Sequence, residues 1–256
     1  MSNLLTGKTA LILGVANRWS IAYAIAKAYH REGATVILTY QSERQKDTVA
    51  QLAEEMGPAR MVPCDVTADA EIDGMISALK DTNTKLDVVV HSIAFANRED
   101  LNNPFLQTSR DGFLLAQNVS AYSLVAVCRA CAPLMTDGGA IMTLTYLGST
   151  RVIKHYNVMG AAKASLEACV RYLAADLGPL GIRINSISAG AIKTTAARGV
   201  KDFSKLLEGK AEITPLRRNT DPAEVADTAV FLASDLGRGV TGNCIFVDSG
   251  YQILGV

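Results

Sequence analysis

The chain has 256 residues, 49% of them hydrophobic, with 25 basic and 25 acidic side chains that cancel to a formal net charge of zero. This length can bury one large core and suits a single α/β domain over 1–256. A neutral balance gives no electrostatic ground for nucleic acid or an anionic membrane as the main partner.

Short β-branched runs alternate with helical patterns along the chain. "TALIL" (9–13) precedes a helical pattern over 20–31, and "TVILT" (35–39) precedes one over 43–56. "RMVPCDV" (60–66) is followed by a helix over 70–79, and "LDVVVHS" (86–92) by a long helical segment over 111–132. "AIMTLTY" (140–146) leads to a helix over 156–177, then come "IRINSIS" (182–188) and "CIFVD" (244–248). This order predicts a doubly wound parallel sheet of Rossmann type, covered by helices on both faces. "TDPAE" marks one further helix start, with Asp221 as N-cap, Pro222 at N1 and Glu224 closing a capping box. The polar stretch 192–217, broken by Gly199 and Gly209, is a candidate mobile loop and helix over a ligand site.

No cationic flank, long apolar segment and cleavage site precede the first strand, which argues against a signal peptide. No apolar run approaches the ~20 residues a membrane-spanning helix needs. Cys64, Cys128, Cys131, Cys169 and Cys244 sit in apolar segments and read as reduced core thiols of a cytoplasmic protein. The CxxC spacing of Cys128 and Cys131 lies in a helical pattern without a second ligand pair, and three scattered histidines add no metal site.

In "LILGVANRWSIAYAIA" the first strand ends at Gly14, which can supply the tight turn of a dinucleotide site. Ser20 can cap the next helix and place a hydroxyl and amide groups near phosphate. The usual GxGxxG is absent. At the end of the second strand Gln41 stands where an acidic residue normally binds the adenosine ribose, while Arg44 and Lys46 follow closely enough to attract a 2′-phosphate. Asp65 is placed to accept from an adenine amino group with Val66 packing on the ring; its other role is to cap "TADAE".

Tyr156 and Lys163 are seven residues apart, two helical turns, so both can lie on one face near a helix start. A phenol is a poor acid unless a cation stabilises its anion, and a nearby ammonium does that. Tyr146 ends a strand at the same sheet edge. Lys154 and His155 fall in a loop, and His91 ends a buried strand where it hydrogen-bonds locally.

These segments, with "HSIAFA" (91–96), "LTYLGS" (144–149), "YNVMGAAKAS" (156–165) and "TGNCIFVDSG" (241–250), resemble the short-chain dehydrogenases/reductases. Within them the chain is similar to the bacterial NADH-dependent enoyl-[acyl-carrier-protein] reductases of type II fatty acid synthesis, the class targeted by triclosan. Two departures from the wider superfamily carry this. Met159 stands where the usual YxxxK tyrosine would fall, leaving Tyr156 and Lys163 as Y-x6-K, and Tyr146 stands where a catalytic serine is usual.

The resemblance implies that Tyr156 hydrogen-bonds the thioester carbonyl, that Lys163 binds the nicotinamide ribose, and that Tyr146 lines the acyl pocket in a supporting role. It implies cofactor contacts at Gly14, Ser20, Ile21, Gln41, Asp65, Val66, Ile93, Lys163, Ile192 and Thr194. Ala96, Tyr146, Tyr156, Met159 and Phe203 are the implied substrate contacts. Acyl carrier protein as the substrate's bearer, a homotetramer, and NADH in preference to NADPH complete the expectation. The alternatives are a carbonyl reductase of the same superfamily and a non-catalytic nucleotide-binding protein.

Overall fold

The structure, a computed structural model of the chain, describes residues 3–57, 59–194, 209 and 211–255. Seven parallel strands form one sheet: β1 (Thr9–Leu13), β2 (Thr35–Tyr40), β3 (Arg60–Pro63), β4 (Val88–His91), β5 (Gly139–Thr145), β6 (Ile182–Ala189) and β7 (Cys244–Val247). Their order is β3-β2-β1-β4-β5-β6-β7, so the winding reverses between β1 and β4. Leu11 of β1 lies opposite Ile37 of β2 on one side and Val89 of β4 on the other. The crossovers are made by α1 (Ile21–Arg31), α2 (Glu43–Met56), α3 (Asp69–Lys80), α4 (Arg98–Asn102), α5 (Arg110–Gln117), α6 (Ser123–Cys131), α7 (Asn157–Leu177) and α8 (Pro222–Ala233).

Alternate strand residues feed two separate cores, as a sheet buried on both faces requires. Ala10, Ile12, Val88 and Val90 pack with α1, α2 and α8, whereas Leu11, Leu13 and Val89 pack with α3, α6 and α7. This explains why the strands read as continuous apolar runs. A third, smaller cluster joins Leu101, Ala116, Val158, Met159 and Ala162, with Ala96 and Tyr156 packed against it.

The expected helix over 111–132 is interrupted. A π-helical turn, Asn118–Tyr122, separates α5 from α6, and periodicity over so long a run hides one extra residue. The stretch Arg110–Leu134 does reach the length and hydropathy of a membrane span, contrary to the sequence reading, but half of its most apolar window is buried inside the protein. The capping box forms as expected, Asp221 accepting from Ala223 N and Glu224 accepting from Asp221 N. Of the loop and helix expected over 192–217, residues 195–208 and 210 lie outside the described residues.

Candidate active site

A cavity of about 620 Å³ opens over the carboxyl ends of the strands where the winding reverses, the position at which open α/β sheets take ligands. Gly14 forms its floor at a φ of +100°, and a Cβ there would stand 2.0 Å from the Ser92 carbonyl oxygen. No other residue type fits that turn.

Ser20 occupies the N-cap position of α1, but its hydroxyl does not cap the helix. It accepts from the amides of Ala16 and Asn17 at 3.3 and 3.1 Å and donates to the Asn17 carbonyl. Asn17 Oδ1 in turn accepts from Trp19 N at 2.9 Å. The missing glycines are thus replaced by a loop that Ser20 and Asn17 hold in shape, with Ser20 and Ile21 presenting the start of α1 to the cavity.

At the far end, Gln41 Nε2 donates to Asp65 Oδ2 at 3.1 Å, and Thr67 donates to Asp65 Oδ1 through its amide (2.9 Å) and hydroxyl (2.7 Å). Burial pushes the Asp65 carboxyl up, but the bonds from Thr67 and Gln41 outweigh it and leave it below its ordinary value. Asp65 therefore both orders the turn before α3 and faces the cavity. Lys46 pairs with Glu43 at 3.0 Å on the exposed first turn of α2 and does not line the cavity.

At the near end, Leu144, Thr145, Lys163 and Thr194 line the cavity. Lys163 is 5% exposed and its Nζ donates to the Leu144 carbonyl at 2.8 Å. Burial lowers it to about 8, against the upward pull of the Glu167 charge. Tyr156 is the N-cap residue of α7, flanked by His155 and Asn157 at positive φ. Asn157 Nδ2 donates to the carbonyls of Leu101 and Asn103, both at 2.7 Å, and so ties the start of α7 to the end of α4. The rings of Tyr146 and Tyr156 meet edge to face, with centroids 5.0 Å apart.

Both phenols are held well above their ordinary value. For Tyr156 the causes are burial, then the Tyr146 and Glu167 charges; for Tyr146 they are burial, then Tyr251 and Asp248. This corrects the expectation that the ammonium would draw the phenol down. Desolvation dominates, and the Tyr156 phenol is neutral. His91 is buried, paired with Thr143 Oγ1 (3.0 Å) and Ser123 Oγ (2.8 Å), and burial lowers it to about 3.

Gly14, Ser20, Ile21, Gln41, Asp65, Val66, Ile93, Lys163 and Thr194 share this cavity. Ile192 instead packs into the core beside α8. Met159, Ala96 and Tyr156 meet in the small apolar cluster, and Tyr146 faces a separate narrow pocket with Asp248 and Tyr251. Phe203 lies outside the described residues. Sequence reasoning missed Asn17, Gln45 and Val119, which also line the cavity. The four-residue spacing of Lys163 and Glu167 was a legible signal for a helix pair. Among the described residues no cluster of metal-ligating side chains occurs.

A dinucleotide-sized cavity at the winding reversal, with a buried lysine of α7 in its wall and a tyrosine at the N-cap of that same helix, is the arrangement of a nicotinamide-dependent reductase of the short-chain class. The model of the family described as enoyl-(acyl carrier protein) reductase matches residues 14–252. The NADH-dependent enoyl-[acyl-carrier-protein] reductase FabI of Bacillus cereus is 56% identical over 98% of this chain and 99% of its own, and that of Escherichia coli is 46% identical over 97% and 95%. The crystal structure of the Bacillus cereus enzyme with NADP+ and an indole naphthyridinone superposes with a TM-score of 0.97, at 56% identity and 99% coverage of both chains. That of the Anaplasma phagocytophilum enzyme in complex with NAD gives 0.95, at 46% identity, covering 99% of this chain and 97% of that one. The chain belongs to the enoyl-[acyl-carrier-protein] reductase family.

Proposed function

We propose the following division of labour among its residues for the family's reaction. The protein is an oxidoreductase that reduces the carbon–carbon double bond of enoyl-[acyl-carrier-protein] thioesters with NAD(H). The cavity suits that cofactor: Gly14 admits close backbone approach, Gln41 and Asp65 offer an amide and a carboxylate at the adenosine end, and Lys163 presents an ammonium at the other. The chemistry NADH supplies when bound is hydride donation to C3 of a trans-2-enoyl thioester, which leaves negative charge on the thioester oxygen.

Tyr156 donates to that oxygen. A neutral phenol in a site of low polarity stabilises the charge more as it develops than in the ground state. Lys163 holds the nicotinamide ribose, and its charge adds to the positive potential at the reacting end. Tyr146 packs edge-on against Tyr156 and limits its swing, while Met159, Ala96 and the apolar cluster around them receive the acyl chain. Segment 192–217, with Phe203, is assigned the remainder of the acyl pocket. Gln41 in place of an acid, with Arg44 nearby, favours NADH while leaving NADPH usable.

Acyl carrier protein is the bearer of the substrate in this reading, and the cytoplasm its place of action. A homotetramer is supported by two separate sets of exposed apolar side chains: Phe113, Leu114 and Tyr172 around α5 and α7, and Phe231, Phe246 and Ile253 beside the edge strand β7.

The observation that carries the assignment is the protonated Tyr156 phenol standing against Tyr146 on the helix that sends Lys163 into the cavity. Incubation with NADH and crotonyl thioester tests it: NADH is consumed and a saturated thioester appears. Failure to turn over crotonyl thioester, beside activity on a 3-oxoacyl thioester, would overturn it.

A further inference from the structure

Two residues one turn apart on α7 grip two consecutive residues at the end of β5. Lys163 Nζ donates to the Leu144 carbonyl at 2.8 Å, and Glu167 Oε1 accepts from Thr145 Oγ1 at 2.6 Å. Thr145 is 4% exposed and Glu167 half-buried, so the carboxylate stands at the inner face of the helix, not on a solvated one. Side chains at this spacing lie side by side on a helix, ~6 Å apart. A strand hydroxyl needs no carboxylate to satisfy it, and a half-buried charge is costly unless an opposite charge offsets it.

We propose that Glu167 is a positioning residue for this reductase: tethered to β5 through Thr145, it keeps the Lys163 ammonium charged and seated at the end of that strand. The inference rests on the assignment of Lys163 to the cofactor ribose. Burial works against the charged amine, and the Glu167 charge is the opposing influence on it. Among the described residues, no other titratable group around the pair supplies a negative charge to Lys163. His91 of β4 is neutral, and Tyr156 before α7 and Tyr146 after β5 are protonated. Cys244 of β7, near Glu167, is a thiol pushed up by burial, and Arg171, one turn further on α7, is itself cationic.

The device sets the upper pH limit of cofactor binding. With Lys163 at about 8, NADH affinity falls as the ammonium deprotonates above that pH. Removing the neighbouring negative charge moves the fall toward acid by about 0.5–1 pH unit.

NADH dissociation constants are to be measured on the full-length enzyme from pH 6.5 to 9.5. Glu167→Gln keeps an acceptor for Thr145 but not the charge; its alkaline fall should begin earlier, binding NADH about threefold more weakly than wild type at pH 8, with the gap closing at pH 6.5. Glu167→Asp keeps the charge and should restore the wild-type profile. An unshifted fall in Glu167→Gln, or equal shifts in both variants, would overturn the proposal. Lys163→Met separates the two readings. It should abolish the pH dependence, and a Lys163→Met protein with wild-type affinity and profile would instead remove the ribose assignment on which the inference stands.

Discussion

Gly148 lies flat against the ring of Tyr156: a Cβ built on it would stand 2.3 Å from ring Cδ1 and 2.7 Å from Cε1. The short turn after β5 thus sets where the phenol can point. Gly148 does not line the cofactor cavity. Gly148→Ala should therefore lower kcat by about 10–100-fold, the cost of moving a catalytic group by ~1 Å, while NADH still binds. Steady-state kinetics beside NADH titration checks this; a loss confined to NADH affinity would contradict it.

In the proposed division of labour, removing the Tyr156 hydroxyl removes one donor to the developing oxyanion. Tyr156→Phe should cost about 10²–10³ in kcat, and NADH affinity should be kept, since the proposed role of the hydroxyl is toward substrate and not cofactor. The same variant reports on Tyr146: an additional Tyr146→Phe change should cost less once the Tyr156 hydroxyl is gone.

Lys163 gives a stability signature. Its value is about 8 when folded against 10.5 ordinarily, so between those values the unfolded chain carries a proton the folded chain has shed. The penalty for burying the charge is full below pH 8 and gone above 10.5, and stability from this site rises with pH across that window. Lys163→Met should stabilise the cofactor-free protein at pH 7 by about 1–3 kcal/mol, the transfer gain less one lost hydrogen bond. Urea titrations at pH 7 and 9.5 should show the advantage shrinking at the higher pH.

Asn157 combines a positive φ of 35° with two side-chain bonds to the end of α4. Asn157→Ala loses both features and should destabilise the protein by about 2–4 kcal/mol. Asn157→Gly keeps the backbone freedom and should recover ~1 kcal/mol of that loss. Thermal or urea unfolding of the three proteins orders them; an alanine variant as stable as the glycine one would show the backbone to be unstrained.

The alternation of β-branched runs and helical patterns made the sheet legible, because strands buried on both faces must be apolar throughout. Gly14, Gln41 and Asp65 were readable for a related reason: each follows a strand end, and all strand ends meet at one edge. The direction in which the Ser20 hydroxyl turns was not readable, since Asn17 and the helix compete for it at equal sequence distance. Nor was the tie between Thr145 and Glu167, which spans 22 residues. The Tyr156 phenol was misjudged because its charge balance depends on burial, and burial belongs to the fold, not to the spacing of Tyr156 and Lys163.

The π turn at Asn118–Tyr122 carries a consequence for length. Each residue of an α-helix advances the chain by about 100°, so the extra residue sets the rotation of everything after it. Ser123 meets His91, and Leu124, Val127 and Cys131 meet the sheet, only with that residue present. Deleting any one position between 118 and 122 would restore a regular helix and turn all four side chains off their partners, Ser123 off His91 among them. Substitution changes one side chain there; a gap changes the face of a whole helix.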